Sequence, residues 1–449
     1  MAFGRSPLKN PAGPAALLLA ALLPAAACET APEPAARYTC PDCNVVLISM
    51  DTLRADHVGA YGYERSTTPN IDALAERGVL FENAVSQSSW TRPAHLSMLT
   101  GLYPVEHGVR ALINRQRLAD SIPTLAAELK RSGYTTAAFT GGVNLAAAYG
   151  FDIGFDVYRT NGKYFRDNLE DVRFWLDEHA EERFFLFVHG YDPHTPYLTD
   201  PVDRIALALP ERSPRRGLRP TCNRKGRRVG RVRPFVDEYD GAIHRGDRYV
   251  GKLVDELDER GLLDRTVLLF TSDHGEEFLE HGRCFHLTTL YREVLHVPLI
   301  IAAPGLEAGR IERLVPASVA VGPTLLEIVG VEDHALAGPS LFDPPGPEGP
   351  VVVSETERRR QTGHGLGHLR SLRTEREKLL HRVSDGRYER FDIVTDPGEH
   401  DPRSEGGRLE LLVTKLERWL DAHPPRVTGK TAPVDPVLEK QLESLGYTD

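Results

Sequence analysis

Uniformly apolar runs of strand length recur along this chain, and several of them stop at residues equipped for chemistry. Val45 to Ser49 runs into Asp51, Phe184 to His189 leads to Asp192 and His194, and Thr266 to Thr271 gives way to Asp273 and His274; Thr135 to Thr140 and Val297 to Ala302 are runs of the same kind. A strand apolar on both faces has to be covered on both, the situation in a parallel sheet between helical layers. Helical patterns fall between the runs. Asn70 reads as the cap of a helix through Arg77, with Pro69 ahead of it and a stop at Gly78, and Asp237 to Leu263 reads as a longer helix. The expected fold class is α/β: a large mixed, mostly parallel sheet flanked by helices.

After the Pro/Gly-rich run Phe342 to Pro350 the pattern changes to short strands at Val351 to Ser354, His368 to Arg373 and Leu379 to Ser384, then a helix near Leu409 to Ala422, which reads as a small C-terminal α+β subdomain. At the other end, Arg5 and Lys9 precede an Ala/Leu stretch from Ala15 to Leu23 that ends at Ala25-Ala26-Ala27-Cys28. That is the form of a secretion signal and too short for a convincing membrane span. Two readings of Cys28 stand, lipid attachment or plain cleavage among the alanines. The expected divisions are 1–27 signal peptide, 28–43 lipid-attachment cysteine and linker, 44–342 catalytic domain and 343–449 subdomain. Apart from Cys28, the cysteines are Cys40, Cys43, Cys222 and Cys284, an even number in an exported chain, so disulfides are plausible, with Cys40-Pro41-Asp42-Cys43 as a short loop and Cys222 able to clip to Cys284. A net charge of -10 argues against general nucleic-acid binding. The Arg/Lys-dense stretch between Arg212 and Arg233 reads as a solvated loop ahead of a device for steering anions.

Open α/β sheets place their sites at the carboxyl ends of strands, which puts Asp51, Asp273 and His274 within reach of one metal ion. Two carboxylates and an imidazole, with Thr91 oxygen to complete the set, suit Zn or Mn better than Ca, which remains possible. Pro93 fits the first turn of a helix running toward Leu99, so Thr91 stands at a helix N-terminus whose N–H groups can face an anion.

The segment Thr91-Arg92-Pro93-Ala94-His95-Leu96-Ser97-Met98-Leu99-Thr100-Gly101 is in register with the signature C-x-P-S-R-x-x-x-x-T-G of sulfatases, and Asn44 to Asp56, Tyr191 to Tyr197, Thr271 to Glu276, Leu295 to Gly305 and Arg390 to Glu399 resemble further motifs of that family in family order. The chain after about residue 43 is thus identified with the sulfatase branch of the alkaline phosphatase superfamily. The resemblance implies a metal-dependent ester hydrolase acting on an anionic ester, and the N-terminal segment places it in the periplasm or cell envelope. No nucleic acid or protein partner is expected, and the membrane is involved only through a possible lipid anchor.

Departures from the family pattern shape the expected chemistry. Sulfatases convert the signature Cys, occasionally Ser, to an aldehyde that releases sulfate, and threonine cannot undergo that chemistry. A phosphorylated threonine can be released by water, which favours phosphate mono- and diesters over sulfate esters. His95 stands in place of the signature Arg, as a weaker anion clamp, and Thr52 in place of a second carboxylate after Asp51. His286, where sulfatases commonly carry Lys, resembles the His of phosphoethanolamine transferases. Asn114 lies where phosphonate monoester hydrolases carry a substrate-binding Asn. Expected roles are Thr91 as nucleophile, His194 and His286 as catalytic groups, and His95, Asn114 and Asp192 as substrate contacts. The other readings are a sulfuric ester hydrolase of the arylsulfatase kind, an envelope phosphoryl-group transferase, and a binding protein that has lost turnover.

Overall fold

The computed structural model describes residues 38–110, 116–210, 232–357 and 367–426, together with 430–432, 436 and 440. The expected signal segment, Cys28, Asn114, Cys222 and most of the basic stretch lie outside the described residues.

The apolar runs are strands of one sheet: β1 Asn44–Met50, β2 Val79–Val85, β3 Thr135–Gly141, β4 Val157–Gly162, β5 Phe184–Gly190, β6 Thr266–Thr271, β7 Leu299–Ala302 and β8 Gly309–Pro316, in the order β8-β2-β7-β6-β1-β5-β3-β4. Only β7 runs against its neighbours. Every residue of β1 is buried, because Val45 and Leu47 pack into one apolar cluster and Val46 and Ile48 into the other. Each such aliphatic side chain favours the folded state by roughly 1.5–3 kcal/mol over an exposed one. The helices that cover the two faces and are used below are α1 Pro69–Glu76, α2 Thr91–Thr100, α3 Phe165–His179, α4 Arg233–Glu259 and α5 Ala317–Ile328.

Strand register sets the level of the site. Ser49 in β1 lies opposite His189 in β5 and Thr271 in β6, and Met50 lies opposite Gly190. Asp51, Tyr191 and Asp273 therefore emerge together at the carboxyl edge of three adjacent strands. The helix α2 ends at Gly101, whose φ of 69° is left-handed and whose missing Cβ leaves room for the carbonyl of Ala337.

Two helix expectations are corrected. The residue before α1 is Thr68, Pro69 is its first residue, and Asn70 is inside it. Its exposed N–H groups are capped from a distance: Asp247 on α4 accepts from Asn70 N at 3.1 Å, Ile71 N at 2.8 Å and the Asn70 amide at 2.7 Å. The long helix starts at Arg233 and ends at Glu259, and left-handed Gly261 separates it from a single turn at Leu263–Arg265.

The C-terminal part forms a four-stranded antiparallel sheet, β9 Val352–Thr356, β10 Leu369–Arg373, β11 Glu377–Arg382 and β12 Arg387–Asp392, followed by α6 Gly407–Ala422. It shares an apolar cluster with the main body through Val85, Leu290, Leu295, Val352, Leu380 and Phe391, and residues 38–449 make one compact unit. Cys40 and Cys43 are disulfide-bonded with Cα atoms 5.4 Å apart, and Cys284 is disulfide-bonded as well.

Candidate active site

Asp51, two residues beyond Ser49, and Asp273, two beyond Thr271, face each other with no solvent exposure, and His274 follows Asp273. Ligand atoms of the three lie within 4.8 Å of one another. The helix α2 delivers Thr91 to the same point as its first residue. Thr91 donates its hydroxyl hydrogen to Asp51 Oδ2 at 3.1 Å and sits 3.5 Å from His274 Nε2, which in turn is 3.3 Å from Asp273 Oδ2. These separations are those of donor atoms arranged around a single divalent cation.

The hydrogen bonding of the cluster fits such an ion. Asp273 Oδ1 accepts from the N–H groups of Thr52 and His274, whereas Asp51 Oδ1 and Asp273 Oδ2 are buried with no hydrogen-bond partner. His274 Nδ1 donates to Gly275 O at 2.9 Å, which leaves the Nε2 lone pair of the neutral ring for the cluster. Burial raises the carboxyls of both aspartates; for Asp51, His194 and His274 oppose the rise, and for Asp273 the charge of Asp51 adds to it. Two desolvated acids with orphaned oxygens call for a counter-cation.

Two further imidazoles border the cluster. His286 lies 4.5 Å from His274 and 5.2 Å from His194, ring centre to ring centre. His286 Nδ1 is 3.0 Å from Glu276 Oε1, and Tyr197 donates to Glu276 Oε2 at 3.1 Å. His194 Nδ1 donates to Thr195 O at 2.7 Å, and burial pushes its ring down to about 3 against the pull of Asp51. The structure thus gathers Asp51, Thr91, His194, Asp273, His274 and His286.

His95 and Asp192 stand differently from expectation. His95 Nδ1 donates to Thr91 O at 2.9 Å and its Nε2 accepts from the Ser49 hydroxyl at 2.9 Å, so both nitrogens are engaged by protein and burial holds the ring neutral, near 3. It fixes the backbone of Thr91, and neither nitrogen is left for an anion. Asp192 is corrected in the same way: Oδ1 accepts from Arg245 at 3.0 Å and Oδ2 from Phe165 N at 2.9 Å, an internal brace between β5, α3 and α4.

One buried histidine has no counterpart in the sequence reading. His189, next to the end of β5, places Nε2 3.6 Å from Asp51 Oδ2 and packs edge-on to His95 at 4.8 Å. It sits inside an apolar strand run, and only the register with Ser49 reveals its place beside Asp51.

The loop after His274 adds a pH-sensitive element. Glu277 accepts from Arg283 N at 2.8 Å and from the Thr289 hydroxyl at 3.0 Å, and burial, then Glu293, push its carboxyl from 4.5 up to about 7. A raised folded-state value means that its contribution is fully present below pH 4.5 and lost as pH climbs through about 7. Glu277→Gln keeps an acceptor for Arg283 and offers a donor to Thr289. Thermal melts are expected to show the variant level with wild type at pH 5 and more stable at pH 8.5, by about 1–3 kcal/mol. A gap that fails to widen with pH contradicts this assignment.

A family model described as Sulfatase matches residues 43–331. Arylsulfatase K of Xenopus laevis is 25% identical over 357 residues, covering 67% of this chain and 66% of its own. The Delta 4,5-hexuronate-2-O-sulfatase of Bacteroides thetaiotaomicron is 25% identical over 425 residues, covering 84% of this chain and 88% of its own. Among solved structures, the phosphonate monoester hydrolase of Agrobacterium radiobacter matches with a TM-score of 0.67 at 21% identity, over 84% of this chain and 95% of its own, a likeness of fold.

Proposed function

Because the chain belongs to the sulfatase family, whose members are metal-dependent hydrolases of anionic esters, we propose that it uses Thr91 as nucleophile and acts on phosphate mono- or diesters in preference to sulfate esters. The observation that carries this reading is the Thr91 hydroxyl, buried at the start of α2 and donating to Asp51 Oδ2 at 3.1 Å. Asp51 is in position to hold the hydroxyl proton as Thr91 Oγ closes on phosphorus. The first N–H groups of α2 face the charge that builds on the phosphoryl oxygens. The new bond is Thr91 Oγ–P, the bond broken is the ester P–O, and the departing oxygen takes a proton from His286, because His194 is held neutral with its N–H on Thr195 O. His286 has the better support for that duty, since Glu276 backs its Nδ1. Water then attacks phosphorus, giving its proton to His286 while the proton on Asp51 returns to Thr91 Oγ as the Oγ–P bond breaks; a monoester substrate releases phosphate and a diester releases the remaining monoester. A divalent cation held by Asp51, Asp273, His274 and Thr91, better Zn or Mn than Ca for this donor set, would supply Lewis acidity that lowers the cost of an ionised Thr91.

The same proposal puts the enzyme outside the cytoplasm, on the strength of the basic start, apolar stretch and small residues ahead of Cys28. Sulfate is the competing substrate, favoured by the names of the relatives. Initial rates of the full chain on matched aryl phosphate, phosphodiester, phosphonate and sulfate esters decide between them. At least tenfold higher kcat/KM on a phosphorus ester is expected, and a preference for sulfate overturns the proposal.

A further inference from the structure

Where the C-terminal sheet meets the main body, a cavity of about 200 Å³ is lined by Asn83 of β2, Arg292, Arg373 at the end of β10, Glu375 and Glu399. Its cations are not neutralised by its anions. Glu399 is buried, and its Oε2 already accepts from Lys378 Nζ at 2.6 Å and from the backbone N–H of Arg292 at 3.2 Å. Glu375 is exposed and forms no ion pair among the described residues. The Arg373 guanidinium feels the charge of Glu399 but hydrogen-bonds only to the neutral Asn83 Oδ1, at 3.4 Å, and its Nε is buried without a partner. No described residue bonds to the guanidinium of Arg292. The positive field of the pair is felt next door, where burial first and Arg292 second push His296 down to about 3, with Arg373 acting in the same sense.

Against the two carboxylates of the lining, buried Glu399 and exposed Glu375, the two guanidinium groups with Lys378 behind them leave one surplus positive charge, and the guanidinium groups keep unused N–H donors. Guanidinium forks match the oxygen pairs of tetrahedral oxyanions and hold them by two parallel hydrogen bonds. We infer that this cavity binds a small tetrahedral oxyanion, inorganic phosphate or sulfate, between Arg292 and Arg373. The site is separate from the Thr91 cluster. It adjoins the loop from His274 to Arg292 that carries His286, so an anion here braces the end of that loop against the C-terminal sheet.

Equilibrium dialysis of the full chain against labelled phosphate, sulfate and acetate tests the inference. Wild type is expected to bind one equivalent of phosphate or sulfate that Arg292→Gln binds at least tenfold more weakly. That equivalent persists in Thr91→Ala, and acetate competes poorly. Arg292→Gln removes no bond made by the native side chain, so its melting temperature without added anion should match wild type. Arg373→Gln should behave like it in binding. Equal stoichiometry and affinity in wild type and Arg292→Gln, loss of the equivalent in Thr91→Ala, or acetate binding as tightly as the tetrahedral anions, each overturns the assignment. The phosphate and sulfate arms show which of the two the cavity prefers.

Discussion

Thr91→Ala is expected to lower kcat/KM on phosphorus esters by at least about a thousandfold, because it removes the atom that forms the covalent bond while leaving Asp51, Asp273 and His274 in place. The fold should survive. Thr91 is the first residue of α2, where alanine is an acceptable helix residue, and the lost hydroxyl costs one buried hydrogen bond to Asp51, about 1 kcal/mol. Thr91→Ser restores the nucleophilic oxygen but not the methyl group that restricts its rotamer, so it should recover activity to within roughly a hundredfold of wild type. This ordering separates chemistry from binding. A protein that only holds its ligand should bind a substrate analogue equally well in all three forms and turn over in none of them. Alanine retaining more than a tenth of the wild-type rate removes Thr91 from the mechanism. Serine failing like alanine would mean that the methyl contact, and not the oxygen, is what matters.

What the sequence disclosed and what it hid follow from how locally each feature is encoded. Most strands of the sheet interior are legible because a run such as Val45 to Ile48 is apolar on both faces, whereas β2 escaped because Glu82 and Asn83 interrupt it, and the metal cluster is legible because Asp51, Asp273 and His274 end such runs. The edge strand β8 escaped because Arg310, Glu312 and Arg313 interrupt its apolar residues, and its first five residues are exposed or half-buried. Roles that depend on distant partners were also hidden. Asp192 reads as a site acid until Arg245 and Phe165 are seen to take its oxygens. Asn70 reads as a cap until Asp247, on another helix, is seen to supply it. His95 replaces a residue with an anion-binding role, yet Ser49 and the Thr91 carbonyl consume both its nitrogens. His189 has no sequence signal beyond its type, and only pairing of β5 with β1 brings it to Asp51.

Removal of metal is expected to abolish turnover and to lower the melting temperature by roughly 3–8 °C, with both restored by Zn or Mn more completely than by Ca. The stability effect follows from Asp51 and Asp273. Both are fully buried, each keeps an oxygen without a hydrogen bond, and they raise one another's cost of ionisation. A cation between them converts that repulsion into attraction in a region of low dielectric, so its loss weakens the fold as well as the chemistry. Asp51→Asn distinguishes this account from simple damage to the site. The variant should be inactive and should lose the metal-dependent gain in melting temperature. Yet without metal it should be at least as stable as metal-free wild type, because burial already disfavours the Asp51 charge and an amide carries none. If Asp51→Asn without metal melts well below metal-free wild type, the carboxylate is stabilising the fold by itself and the cation argument fails. Full activity of wild type after exhaustive chelation, with metal content verified as absent, would remove the metal from the mechanism and leave Asp51 as a base acting on Thr91 alone.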